Sequence, residues 1–176
     1  MTSLFRTTAI IEECEGLVSN PELMGSPIES YLVQHALVVL CAEIQQEIYE
    51  IVRVRAAQAE DQQLASFVSN AAQRVLRSVG KGELSGFVGY FGQKEKEKFN
   101  RLLDDAEVTK YNNAINNRHD VAHKSGVQVT FAELKDAVSA ASNILQALAH
   151  AIEAEAQEEA ESHSKQPGPF LPLRNP

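Results

Sequence analysis

The chain has 176 residues, 44% of them apolar and 23% charged, with a formal net charge of -8. That balance supports one domain with a real hydrophobic core plus tails, and its acidity excludes a general nucleic-acid coat protein. Two cysteines, Cys14 and Cys41, exclude a disulfide framework and a four-cysteine zinc site, and read as reduced, buried thiols. The first residues show no signal-peptide pattern, and the longest apolar run, Ala36 to Ala42, falls far short of the ~20 residues of a membrane span. A cytoplasmic protein without a membrane partner is the expectation.

The first helix is expected from Leu4 to about Ser19, with Leu4, Ala9, Ile10, Leu17 and Val18 on its apolar side, and Asn20-Pro21 as its stop. Ser26-Pro27-Ile28-Glu29 is a strong start signal: an N-cap serine, proline in the first turn and glutamate three residues after the serine. The helix that follows carries Leu32, Ala36, Val39, Leu40, Ile44, Ile48, Ile51 and Val52 at helical spacing and can reach Ala59. A third helix is expected from Asp61 to Val79 with Leu64, Phe67, Val68, Ala71, Val75 and Leu76 turned inward. Gly80-Lys81-Gly82 reads as a break, and Leu84 to Phe91 as a short helix with a turn.

Gln93 to Leu103 is helical in pattern, with Phe99 and one of Leu102 or Leu103 inward. The next helix runs from about Ala106 to His123 and stops at Ser125-Gly126. Val127-Gln128-Val129 reads as briefly extended, and Thr130-Phe131-Ala132-Glu133 as a capping box. That box opens a last helix using Leu134, Val138, Ala141, Ile144, Leu145, Leu148 and Ile152. Beyond Ile152 the pattern becomes Glu, Ala and Gln, a frayed extension at most. Residues 164–176 hold four of the six prolines and read as a flexible tail. The fold class is therefore all-α, a bundle of about five to seven helices. The domain division is 1–162 for the bundle and 163–176 for a disordered tail.

Within this helical sequence one stretch carries chemistry: Arg118-His119-Asp120-Val121-Ala122-His123. Arginine offers phosphate a planar fork of donors, and histidine moves protons near neutral pH. The stretch lies in the least acidic part of the chain, since Lys81 to Lys124 holds eight basic residues against seven acidic ones. His119 and His123 are four apart and share a helix face. Arg118 and His123 are five apart, but the length of arginine and the nearby helix end let both reach one phosphate. Asn112, Asn113, Asn116 and Asn117 make the preceding turns unusually polar for a core helix, which suggests a functional surface or a polar interface.

Two alternatives stay open on the residues alone. His119-Asp120-Val121-Ala122-His123 differs from the HExxH zinc motif by Asp for Glu. The shorter carboxylate stands farther from a metal-bound water, no third ligand follows at a familiar spacing, and Gly126 ends the helix early. The plainer alternative has Arg118 and Asp120 as solvated charges, with the histidines favoured at a helix C-terminus by its dipole. The lysine run Lys94, Lys96, Lys98 alternates with Glu95 and Glu97 and reads as a solvated face.

The segment Ala114 to Gly126, followed by Thr130-Phe131-Ala132-Glu133-Leu134, resembles the HEPN family, most closely the RiboL-PSP type. Arg118, His119 and His123 fill the family's Arg, polar residue and His positions, and Ala122 and Gly126 flank the final His as expected. The resemblance is specific from about Phe99 to Ile152. Upstream it rests on helix layout, with Glu43 and Glu47 as polar residues on a long second helix. It implies an all-α bundle that dimerises, with two motifs facing each other in one composite site. It further implies an endoribonuclease that uses no metal or other cofactor and leaves 2′,3′-cyclic phosphate and 5′-hydroxyl ends. Arg118 and His123 would be catalytic and His119 and Asp120 auxiliary, with Asn116, Asn117 and Lys124 contacting RNA or the interface.

Many such proteins are toxins or phage-defence effectors, so the expected partners are an RNA substrate, a second copy, and an antitoxin or defence-system protein. The alternative within the family is a non-catalytic RNA- or protein-binding module. One subgroup carries a modifiable tyrosine two residues after the motif histidine. This chain has Ser125 there, which speaks against that route of regulation.

Overall fold

A computed structural model describes residues 4–23, 25–121 and 129–153. They form seven helices: α1 Phe5–Val18, α2 Pro27–Ala56, α3 Gln62–Val75, α4 Lys81–Val88, α5 Gln93–Leu102, α6 Asp105–Val121 and α7 Phe131–Ile152. No strand occurs among the described residues, so the all-α class holds. The end of α6 at His123, the Ser125-Gly126 stop, the extended Val127-Gln128 pair, the acidic extension past Glu153 and the tail 163–176 lie outside the described residues.

The two longest helices organise the bundle. In α7, Leu134, Ala137, Ala141, Ile144, Leu145 and Leu148 are all within 1% of full burial. It packs against α1, α2, α4, α5 and α6. Alanines at 137, 140, 141, 147 and 151 let neighbouring helices approach its axis on several sides. Its start follows from sequence: the Thr130 side chain accepts from Glu133 N–H, and the Glu133 carboxylate accepts from Thr130 N–H at 2.8 Å, a complete capping box.

α2 passes length and apolarity tests for a membrane span. Nine of its residues, Val33 to Ala56, are buried inside the bundle, and packing accounts for that apolarity. Its N-cap is half of the expected box. Ser26 Oγ accepts from Glu29 N–H, but the Glu29 carboxylate reaches past Ser26 to Gly25 N–H at 2.6 Å.

Leu4 is buried as expected, and Ile10 and Val18 pack partly buried against the core, but Thr7, Ile11 and Cys14 complete the buried side of α1, Ala9 is exposed and Leu17 half exposed. Its first turn is capped from outside. Glu43, on α2, accepts from Arg6 N–H at 2.7 Å, Thr7 N–H at 2.8 Å and the Thr7 hydroxyl at 2.6 Å. An anionic acceptor there satisfies orphan donors and meets the positive end of the helix dipole.

α3 corrects the sequence reading twice. It stops at Val75, because Leu76 turns to an extended conformation (ψ 100°) and carries the chain down into the core. And half of its expected inward residues face outward: Leu64, Phe67 and Val75 are 52%, 69% and 48% exposed, while Ala65, Ala72 and Leu76 are buried and Val68 packs partly on the core. The small residues form the seam with α2, and Gln45 and Tyr49 of α2 fasten it through the Leu76 carbonyl.

α4 begins at Lys81, earlier than expected, and takes Gly82 and Gly86 into the helix. A three-way bond ties it to α5: Asn100 Oδ1 accepts from Lys81 Nζ at 2.8 Å and from Ser85 Oγ at 3.1 Å. On α5, Phe99 is fully buried and Leu102 is 45% exposed, with Leu103 packed on the core, which settles the choice between the two leucines.

Candidate active site

The motif sits at the far end of α6, and the question is what fixes that end. Asp104 starts the helix, its Oδ1 accepting from Ala106 N–H at 2.9 Å and Glu107 N–H at 3.1 Å. Tyr111, Ala114 and Ile115 are buried along one side. The Tyr111 hydroxyl donates to the Val79 carbonyl, joining α6 to the connector between α3 and α4. Burial pushes the Tyr111 phenol far above its usual range, so it remains a donor. Toward α7, Lys110 pairs with Asp136 at 3.1 Å, and Asn143 donates to the Glu107 carboxylate. α6 is thus tied to the α3–α4 connector and, twice, to α7 before the motif begins.

Arg118, His119 and Asp120 form the last described turn of α6, which ends at Val121. In helical register Arg118 follows Ala114 by four residues and Ile115 by three. Only the backbone placement of Arg118, His119 and Asp120 is described. His123 and Lys124 lie outside the described residues, as do the side chains of both histidines of the zinc reading.

The asparagines divide into different roles. Asn112 Oδ1 accepts from Lys81 N–H at 3.3 Å and so helps cap α4. It is structural, not part of a functional surface. Asn117 donates to the Asn113 carbonyl at 2.7 Å. Asn116 is exposed and Asn117 half-buried.

Asn113 and Asn117 also line a cavity of about 510 Å³ between α6 and the start of α7, with Lys110, Ala114, Val129, Glu133 and Asp136. Sequence reasoning picked out Asn113 and Asn117 but missed Lys110, Glu133 and Asp136. The polar helix turns were visible, but their facing partners come from a different helix. Glu133 is held below the usual carboxylate range by the Thr130 N–H and then the Thr130 hydroxyl. The cavity therefore presents one ion pair, one ionised capping carboxylate and two amides directly beside the motif turn. Such a wall offers both donors and acceptors of hydrogen bonds next to Arg118 in the chain.

Seven helices among the described residues, with Arg118, His119 and Asp120 on the last described turn of the sixth, fit a HEPN-type helical domain. The RiboL-PSP-HEPN family profile matches residues 4–154, and the chain belongs to that family. No match was found among curated proteins or among solved structures. Membership supports a ribonuclease or RNA-binding module and is consistent with dimerisation.

Proposed function

We propose that this protein is a homodimeric endoribonuclease, acting without metal, whose site is assembled from Arg118 and His123 of two copies. The observation that supports the reading is the position of Arg118 on the last described turn of α6, a helix tied down by Tyr111, Lys110 and Glu107, within a family match over residues 4–154. In this reading the braced α6 gives the Arg118 backbone a fixed position from which its guanidinium meets phosphate.

RNA supplies its own nucleophile. His123 of one copy takes the proton of a 2′-hydroxyl, and the 2′-oxygen attacks the adjacent phosphorus. Arg118 binds the non-bridging oxygens and stabilises the charge that grows on them. The P–O5′ bond breaks as His123 of the other copy donates a proton to the leaving oxygen. The ends are a 2′,3′-cyclic phosphate and a 5′-hydroxyl, and the two histidines exchange protonation states. Two-fold symmetry provides both at once. His119 and Asp120 orient the reacting groups, Lys124 and Asn116 contact RNA or the interface, and Asn117 lines the neighbouring cavity. In the cell we place the activity in a toxin–antitoxin or phage-defence setting, held in check by a protein partner.

The test is incubation of the purified chain with total RNA, with and without EDTA, followed by end-group analysis. Cleavage that survives EDTA, yields cyclic phosphate ends and disappears in both Arg118→Ala and His123→Ala supports the proposal. Full cleavage by His123→Ala sinks it. RNA bound tightly but left intact by the wild-type dimer would point to the non-catalytic module instead.

A further inference from the structure

At the opposite end of α7 from the motif lies a cavity of about 400 Å³, walled by the last turn of α2, by α5 and by Ala151, Ile152 and Glu153. α7 is 22 residues long, so about 31 Å separates its two ends. Four cations line the cavity: Arg55 from α2, and Lys94, Lys98 and Arg101 from α5. On α5 the three are spaced four and three residues apart and therefore share one face. That spacing sorts the lysine run. Lys94 and Lys98 belong to the cavity, whereas Lys96 lies against Gly89.

None of the four forms an ion pair among the described residues. Three carboxylates also line the cavity, which leaves it one positive charge in excess, four against three, and none of them pairs with the four cations among the described residues. Glu97 accepts from Gln93 Nε2 at 2.8 Å. Glu95 folds back over Gly92, so closely that a Cβ there would meet its oxygen at 2.1 Å. Glu153 lies 3.5 Å from His150 Nδ1. Arg55 gives Nη1 to Gln58 at 3.4 Å, and its Nε is the one buried side-chain polar atom without a partner among the described residues. Buried donors are almost always satisfied, and an orphan one marks a missing acceptor such as an ion.

We propose that this cavity is a second site that binds a phosphate group, with Arg55 at its floor and Lys94, Lys98 and Arg101 at its rim. Guanidinium and ammonium groups that line one cavity without an ion pair fit a tetrahedral oxyanion. The group can belong to an RNA backbone or to a free phosphorylated small molecule. The site stands independently of the cleavage chemistry assigned to Arg118 and His123.

The test is isothermal titration of the full chain with pyrophosphate at low salt. Saturable binding at one equivalent per chain is expected. Lys98→Gln/Arg101→Gln, which alters only a half-exposed and an exposed side chain, should weaken it at least tenfold with an unchanged helical circular-dichroism spectrum. Arg55→Gln should weaken it as well, and Arg118→Ala should leave it within twofold. A 2′-O-methyl oligonucleotide, which cannot be cleaved, separates the two sources. Displacement of pyrophosphate identifies backbone phosphate as the occupant, and no displacement identifies a free phosphorylated compound; both support the site. Absence of saturable binding, or equal affinity in the Lys98→Gln/Arg101→Gln protein, overturns it.

Discussion

Tyr111→Phe tests whether the hydroxyl on α6 braces the helix that carries the motif. The side chain is fully buried and its acceptor, the Val79 carbonyl, belongs to a residue only 2% exposed. The substitution keeps the ring, so packing changes little. It removes one hydrogen bond and leaves a buried carbonyl unsatisfied, which together cost about 1–3 kcal/mol. For a domain of this size a loss of about 2 kcal/mol lowers Tm by roughly 4–8 °C. Urea unfolding should show the same loss as a lower midpoint at unchanged slope.

The same hydroxyl predicts an alkaline limb. Its folded pKa is raised, so its contribution is complete below the unfolded value near 10 and is lost as pH climbs above that. Tyr111→Phe should flatten that limb. Cleavage per folded molecule should persist, because Ala114 and Ile115 still anchor α6. A stability change under about 0.5 kcal/mol would refute the bracing role, as would lost cleavage at full stability.

Further outcomes follow from the caps and the core packing. Glu43→Ala removes the acceptor of two backbone N–H groups and one hydroxyl at the start of α1 and should cost about 2–3 kcal/mol in urea unfolding, with Glu43→Gln recovering part of it. Thr130→Ala should cost about 1 kcal/mol by loss of the α7 cap. Since the Glu133 carboxyl is held below its ordinary value, its contribution is complete above the unfolded carboxylate pKa and fades as pH falls through the folded value. Glu133→Gln should make thermal stability less sensitive to pH on that acid side. Phe99→Ala, at a fully buried site, should cost about 3–5 kcal/mol, while Phe67→Ser, 69% exposed, should stay within about 0.5 kcal/mol. A large loss at Phe67 in dilute solution would mean that the α3 stripe is covered.

What the sequence revealed depended on how local the cause was. α2 and α7 were legible because each has a cap spelled out in adjacent residues, Ser26-Pro27 and Thr130 to Glu133, and a long run of helical spacing. α3 was misread because spacing reports an apolar stripe without saying which way it faces. Its seam with α2 is made by Ala65 and Ala72, residues too small to dominate a pattern. Its end at Leu76 carries neither glycine nor proline. The use of Glu43 as a cap joins residues 36 and 37 apart, beyond any local motif. At the site, the position of Arg118 on a helix end was legible. The cavity beside it was not, because Lys110 and Asn113 meet Glu133 and Asp136 only when α6 and α7 pack.

α3 differs from the other helices in resting on a single neighbour, α2. Its seam is made by Ala65, Ala72 and Leu76, with Gln45 and Tyr49 of α2 bonded to the Gln73 and Leu76 carbonyls, so an opening of that seam leaves the packing around α7 in place. The molecule then behaves as a stable body with a hinged panel. Alterations confined to that panel, such as a tag, an inserted loop or sequence drift on its outer stripe, leave the core, and the helix end bearing Arg118, as they were.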